Sequence, residues 1–187
     1  MKIRIIIGSF LILLIATNVM VIIKYVSLRT DYKELLRDYE QLNIKSSVGF
    51  TGIKNMVFES LTGNIVELPE NCDKIRILLF VSPTDCVSCF HVMLMINNIQ
   101  KKYRDRLDVI TFLQEDSEKQ AKRSLRGLNM EYSIVFDPYG KKVPGLSCNI
   151  KTPFLVILNS GGDVISYSNP YPDKKYEEFI IRIIENV

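Results

Sequence analysis

The chain has 187 residues, 47% of them hydrophobic, and a formal net charge of +3 at pH 7. This length predicts one folded domain with appendages, and the hydrophobic fraction is sufficient for a buried core. Nucleic-acid binding is not expected, because the basic residues form no cluster beyond the pairs Lys101-Lys102 and Lys141-Lys142.

The first segment of the chain is apolar. Residues 5–23 carry no charge, and at about 1.5 Å per residue a helix of this length covers the hydrocarbon core of a bilayer. A cleaved signal peptide is the competing interpretation, but its apolar region should be shorter and end at a small-residue cleavage site. The sequence therefore predicts a transmembrane anchor over residues 1–26. We expect a single-pass protein of the cell inner membrane, with its C-terminal domain extracytoplasmic, in the periplasm.

Residues 27–52 are predicted to form a helical stalk and a linker. Apolar and aromatic side chains recur at alternating spacings of three and four residues, which is an a/d heptad pattern. These positions are Tyr25, Leu28, Tyr32, Leu35, Tyr39 and Leu42. The pattern fits a single amphipathic helix resting on the domain, and it also fits a short coiled coil that would make the protein a homodimer. The small, glycine-containing stretch 46–52 is the linker.

Residues 53–187 alternate predicted strands and helices. A continuous apolar run within 74–82 is typical of a strand buried on both faces, and residues 90–103 then show helical periodicity. The other predicted elements are a hairpin over 56–68, a strand over 108–113, a helix over 117–128, a strand over 132–136, a hairpin of strands 154–158 and 163–167, and a helix over 173–187. This order predicts an α/β domain with a mixed central sheet flanked by helices.

Two of the four cysteines, Cys86 and Cys89, lie where the apolar strand ends and the next helix begins. A thiol attacks as its thiolate, and the N-terminus of a helix favours that anion. Cys86 is therefore the predicted nucleophile. Cys89 lies on the same side of the first helical turn, where it can attack a mixed disulfide on Cys86 and release the partner. This chemistry needs neither a metal nor a cofactor.

Two other interpretations compete for the cysteine pair, namely buried structural thiols and a metal site. His91 is the only histidine in the chain. At about 100° per residue it points away from both cysteines on the predicted helix, so it is a poor third ligand. There is no second CxxC motif to complete a zinc site. We therefore predict no metal ligands.

With these features, residues 53–185 resemble the membrane-anchored TlpA-type thiol–disulfide oxidoreductases of the thioredoxin-like superfamily. The segments that carry the resemblance are TGNIVEL, ILLFVS followed by CVSC, VITFL, IVFDPYG and TPFLVILNSGGDVI. The resemblance implies a thioredoxin-like sheet, and exchange of a Cys86–Cys89 dithiol or disulfide with protein thiols or disulfides. It also implies that Pro153 is cis and lies against Cys86, with the Thr152 backbone free to pair with a substrate peptide.

The sequence departs from this family at the cysteine pair itself. The family usually has tryptophan before the first cysteine and proline inside or just after the pair. Here Asp85 precedes Cys86, and Val87-Ser88 separates the cysteines. A carboxylate at Asp85 is expected to oppose ionisation of Cys86. Two alternative functions stay open, a non-catalytic thioredoxin-fold binding module and a copper-delivery protein that uses the CxxC thiolates.

The remaining cysteines, Cys72 and Cys148, precede two strands that the resemblance makes antiparallel neighbours. The starts of such strands lie at opposite ends of a sheet, about 20 Å apart for six residues. Bridged cysteines have Cα atoms within about 7 Å. No disulfide between Cys72 and Cys148 is therefore expected.

Overall fold

The computed structural model describes residues 17–22, 24–26, 53–84, 86–143 and 151–186. The chain divides into two compact units, Met1–Asn43 and Ile44–Val187. Residues 17–22 and 24–26 of the first unit are helical. The rest of the predicted anchor, and the whole predicted stalk with its coiled-coil alternative, lie outside the described residues. Among the helices that are described, none has the length and apolarity needed to cross a membrane.

The second unit contains a two-stranded and a five-stranded sheet. Its strands are β1 (Met56–Glu59), β2 (Ile65–Leu68), β3 (Ile75–Val81), β4 (Leu107–Leu113), β5 (Ser133–Phe136), β6 (Phe154–Leu158) and β7 (Val164–Ser168). The strands β1 and β2 form an antiparallel hairpin, and the larger sheet has the order β5-β4-β3-β6-β7. In that sheet β3 is parallel to β4 but antiparallel to β6. The predicted mixed sheet and the two predicted hairpins, β1–β2 and β6–β7, are therefore confirmed.

In the described part of this unit three helices accompany the sheets: α1 (Val87–Tyr103), α2 (Glu118–Ser124) and α3 (Lys174–Asn186). The helix α1 begins directly after Cys86, where the sequence predicts its start, and Cys86 caps its first turn. The helix α2 is shorter than the predicted 117–128. It leaves helical geometry after Leu125, and Gly127 adopts a φ of 81°, a left-handed conformation that favours glycine.

The central strand β3 is buried along its whole length because each of its faces is covered by a separate hydrophobic cluster. Side chains alternate across a strand, so Ile77 and Leu79 join one cluster while Leu78 and Phe80 join the other. The first cluster includes buried residues of α1 and α3. The second includes buried residues of the β1–β2 hairpin. This double covering explains the unbroken apolar sequence of β3.

The two ends of the large sheet differ in what they carry. Because β3 and β4 are parallel, their C-terminal ends lie together, and Cys86 follows β3 at that end. The strand β6 runs the other way, so its last residue, Leu158, pairs with Arg76 near the start of β3. The β6–β7 turn therefore lies at the end opposite Cys86. There Lys54 Nζ forms an ion pair with Asp163 Oδ1 at 2.9 Å.

Cys72 also lies at this opposite end of the sheet. Its backbone N–H donates to the carbonyl oxygen of Ser160, in the β6–β7 turn, at 2.8 Å. Its thiol is free in the structure. Cys148 lies outside the described residues, so the expected absence of a bridge between the two stays a prediction.

Candidate active site

Cys86 forms the transition between the loop after β3 and the first turn of α1. It is the N-cap residue, with an extended backbone, and its Sγ accepts a hydrogen bond from the backbone N–H of Cys89 at 3.3 Å. Its side chain is only partly buried, and the neighbouring Val87 is 78% exposed. A partner sulfur can therefore reach Cys86 from solvent.

Cys89, in contrast to the accessible Cys86, has no exposed surface and belongs to the hydrophobic cluster under α1. Burial, together with the interaction with Cys86, raises the pKa of Cys89 to about 12. Burial also opposes ionisation of Cys86, but hydrogen bonds from Cys89 and Ser88 outweigh it and lower the pKa of the Cys86 thiol. In the reduced pair the proton therefore stays on Cys89, and Cys86 is the sulfur that ionises.

Ser88 is one of the two residues between the cysteines, and its side chain contacts the sulfur of Cys86. Its Oγ lies 3.0 Å from Cys86 Sγ, so the hydroxyl can donate a hydrogen bond to the thiolate. The sequence pattern does not assign a role to Ser88, which only departs from the family's residues between the cysteines. A hydroxyl residue two positions after a cysteine that caps a helix is the sequence feature that indicates such a contact.

The Thr152–Pro153 peptide bond is cis, as the family resemblance implied. The Cys86 thiol donates a long hydrogen bond to the carbonyl oxygen of Thr152, with a sulfur–oxygen distance of 3.7 Å. The side-chain amide of Asn169 donates to the carbonyl oxygens of Lys151 and Pro153 at 2.7 and 3.0 Å. The predicted site residues Cys86, Thr152 and Pro153 thus lie together, and Asn169, which the sequence did not indicate, holds the segment through these two hydrogen bonds.

Glu115 is a second residue that the sequence did not indicate. It follows β4, directly beside the end of β3, and is only 2% exposed. Its Oε1 accepts the backbone N–H of Thr84 at 3.0 Å, and its Oε2 is buried without a hydrogen-bond partner. Glu115 therefore fixes the loop that leads to Cys86. Asp85, predicted to modulate Cys86, lies outside the described residues.

His91 is exposed, and its ring packs edge-on against Phe90 with centroids 6.1 Å apart. It therefore lies away from the buried side of α1 that carries Cys89. Among the residues that the structure describes, no three or more His, Cys, Asp or Glu side chains are grouped as metal ligands would be. The chemistry that these positions support is that of two thiols that differ in exposure and in pKa.

The unequal thiols lead to a prediction for alkylation of the reduced chain. Iodoacetamide should modify Cys86 much faster than Cys89, and the rate should fall as the pH drops through the lowered pKa of the Cys86 thiol. Above that pKa the rate should level off, because the thiolate fraction is then complete. Cys89, buried and with a pKa of about 12, should stay unmodified over the same range. Mass-spectrometric mapping checks this, and equal labelling of both cysteines would contradict it.

The contact between Ser88 and Cys86 gives a second prediction. Ser88→Ala removes a hydrogen bond to a charged sulfur, worth about 1 kcal/mol at a half-exposed position, so the thiolate fraction below the pKa should fall roughly fivefold. The pH profile of Cys86 alkylation should move to higher pH. Val87→Ala, which changes the other spacer residue, should leave the profile in place. A profile unmoved by Ser88→Ala would show that the hydroxyl does not stabilise the thiolate.

A third prediction concerns Glu115. Glu115→Ala removes a buried carboxylate that accepts the N–H of Thr84, and should lower the free energy of unfolding by about 1–3 kcal/mol. Glu115→Gln keeps a carbonyl oxygen as acceptor and should stay within about 1 kcal/mol of the parent chain. Urea denaturation measures both. Equal losses in the two variants would mean that the carboxylate charge, and not the hydrogen bond, is what the loop requires.

Solved structures similar to this chain include thioredoxin-like proteins. A protein described as the thiol:disulfide interchange protein DsbE from Chlorobium tepidum is 20% identical with a TM-score of 0.61, over 71% of this chain and 93% of that one. The exposed lipoprotein thioredoxin Etrx1 of Streptococcus pneumoniae strain TIGR4 is 17% identical with a TM-score of 0.60, over 71% and 99%. A DsbF homologue from Corynebacterium diphtheriae is 16% identical with a TM-score of 0.59, over 75% and 93%.

These likenesses show that the described part of the second unit has a thioredoxin-like fold, which confirms the predicted fold class of the domain. No protein family and no curated protein matches the sequence.

Proposed function

We propose that this chain is a thiol–disulfide oxidoreductase in which Cys86 is the nucleophile and Cys89 the resolving thiol. The observation that carries the proposal is the asymmetry of the pair. Cys86 is accessible and accepts hydrogen bonds that favour its thiolate, whereas Cys89 is buried and holds its proton. The likeness to structures named as DsbE and as a DsbF homologue supports the same chemistry.

Exchange then proceeds in two steps. The Cys86 thiolate attacks one sulfur of a partner disulfide, so the Cys86–partner bond forms, the partner's own S–S bond breaks, and the leaving sulfur takes a proton from solvent. Cys89 then attacks the sulfur of Cys86 and its proton goes to the departing partner sulfur. Two electrons pass to the partner and a Cys86–Cys89 disulfide is left. The reverse sequence reduces that disulfide.

The Thr152–Pro153 segment is proposed to hold the partner polypeptide during these steps. Its support is the 3.7 Å contact between Cys86 Sγ and the Thr152 carbonyl oxygen. The side-chain amide of Asn169 fixes the segment through its hydrogen bonds to the carbonyl oxygens of Lys151 and Pro153. A peptide that pairs with the Thr152 backbone would present its own sulfur to Cys86.

We further propose that the domain works outside the cytoplasm on an N-terminal anchor. The support is the uncharged run 5–23, followed by the heptad pattern from Tyr25 to Leu42, which favours a helical stalk before the linker 46–52. This arrangement gives a single-pass protein of the inner membrane whose partners are periplasmic proteins. Chemical cross-linking of the full chain tests whether the stalk also forms a homodimer.

The test of the proposed function is transfer of electrons from the reduced full chain to a peptide disulfide, measured as release of peptide thiols. The double variant Cys86→Ser/Cys89→Ser should lose the transfer completely. If the parent chain transfers no electrons, and the double variant still binds the partner, the result would favour a binding module. Stoichiometric Cu(I) binding by the reduced chain, again without transfer, would favour copper delivery.

A further inference from the structure

A cleft of about 400 Å³ opens beside the candidate active site. One wall is Thr84, in the loop that leads to Cys86. The other wall consists of residues of α2 and its N-cap, namely Ser117, Lys119, Gln120, Arg123 and Ser124. Thr84 lies two residues before Cys86, so their Cα atoms are at most about 7 Å apart. The cleft therefore begins within reach of a polypeptide bound at Cys86.

The hydroxyl groups of the α2 wall are already used within that helix. Ser117 Oγ accepts the backbone N–H of Gln120, and Ser124 Oγ donates to the carbonyl oxygen of Ala121. The other wall is fixed by the bond from the Thr84 N–H to Glu115. What the walls offer to a ligand is therefore mainly the two long cationic side chains, Lys119 and Arg123.

The described residues that line this cleft carry an unbalanced charge, with two cations and no carboxylate among them. Within the part of the chain that the structure describes, neither Lys119 nor Arg123 forms an ion pair, whereas the adjacent Lys122 is paired with Glu118. Both cations are exposed. An ammonium and a guanidinium without counter-charges favour carboxylate ligands, and the guanidinium can bind one with two parallel hydrogen bonds.

We propose that the cleft formed by Thr84, Lys119 and Arg123 docks an acidic segment of the protein that exchanges with Cys86. This proposal rests on the proposed function and names the class of its partner. An extended chain rises about 3.3 Å per residue, so an Asp or Glu two to four residues from the partner's reactive cysteine lies about 7–13 Å from it. That span is enough to enter a cleft whose nearer wall, Thr84, is at most about 7 Å from Cys86. Docking changes the rate at which the mixed disulfide forms. The bonds that form and break are the same as in the two exchange steps given above.

The experiment compares three peptides of equal length, each with one internal disulfide and with glutamate, serine or lysine residues beside one cysteine. With the reduced full chain, the glutamate peptide should exchange about three- to tenfold faster than the lysine peptide at low salt. In about 1 M salt, where the Debye length is about 3 Å, this ratio should approach one. The serine peptide reports exchange without a charged flank.

Two charge-reversed variants locate the effect. Lys119→Glu/Arg123→Glu should invert the preference so that the lysine peptide becomes the faster one, a result that an unfolded protein cannot give. Lys101→Glu/Lys102→Glu makes the same change in net charge in the last turn of α1, at the far end of that helix from Cys86. This control should keep the preference for the glutamate peptide.

Three results would overturn the proposal. The first is equal exchange of the glutamate and lysine peptides by the parent chain while the serine peptide exchanges normally. The second is an equal loss of preference in the α1 control, which would assign the effect to net charge. The third is no exchange with any peptide, which overturns the proposed function and the docking surface with it.

Discussion

Cys89→Ser is expected to stop exchange at the mixed disulfide, with the partner held on Cys86. The first step needs only the accessible Cys86 thiolate, so it should proceed in this variant. The second step needs the sulfur at position 89 and cannot occur. On non-reducing gels a peptide or protein disulfide should therefore give a stable adduct, and mass spectrometry should place the linkage on Cys86.

The matched variant is Cys86→Ser. Cys89 has no exposed surface and a pKa of about 12, so this variant should form no adduct at position 89 and release no peptide thiols above the background. Adducts on Cys89 in the Cys86→Ser chain, at a rate close to that of the Cys89→Ser chain, would reverse the proposed roles. The free Cys72 is present in both variants and therefore serves as the background for labelling.

The second large effect is expected from Phe112→Ala. The Phe112 ring stacks on Phe80, with centroids 4.9 Å apart, and meets Phe58 of the β1–β2 hairpin edge-on at 5.1 Å. It has no exposed surface. Truncation should lower the free energy of unfolding by about 3–5 kcal/mol, because it removes buried area and leaves a cavity between the hairpin and the sheet.

Phe179→Ala is the matched substitution on the surface. Phe179 is 41% exposed on α3, where its ring contacts Tyr176 at a centroid distance of 5.7 Å. Its loss should cost no more than about 1 kcal/mol, because much of the ring is already in water. Urea unfolding of the two variants measures the difference. Similar costs would show that the aromatic cluster under the hairpin does not hold the domain together.

Local sequence signals account for most of the fold. The unbroken apolar run of β3 indicates a strand covered on both faces, and the glycines at 161 and 162 indicate the β6–β7 hairpin. Both signals depend only on neighbours in the chain. The end of α2 is harder to predict, because a polar amphipathic pattern continues past Leu125 while the backbone turns away.

The candidate site was predictable only where its residues belong to a local motif. Cys86 and Cys89 follow from the strand–turn–helix pattern, and Thr152–Pro153 from a family resemblance. Glu115 and Asn169 were not predicted, because their partners lie 31 and 16 to 18 positions away in sequence. Such hydrogen bonds exist only once β4 lies beside β3 and the end of β7 lies beside the cis-proline segment.

The ion pair of Lys54 with Asp163 has a consequence for how the domain can be attached. Lys54 is the second residue of the described domain, and the pair fixes it at the β6–β7 turn, at the other end of the sheet from Cys86. With seven residues in β3, the two ends are about 20 Å apart. The polypeptide that precedes Lys54 therefore joins the domain at the end of the sheet that carries the β6–β7 turn. Cys86 lies at the opposite end of the sheet, so a molecule that contacts this thiol approaches the domain from the side away from Lys54.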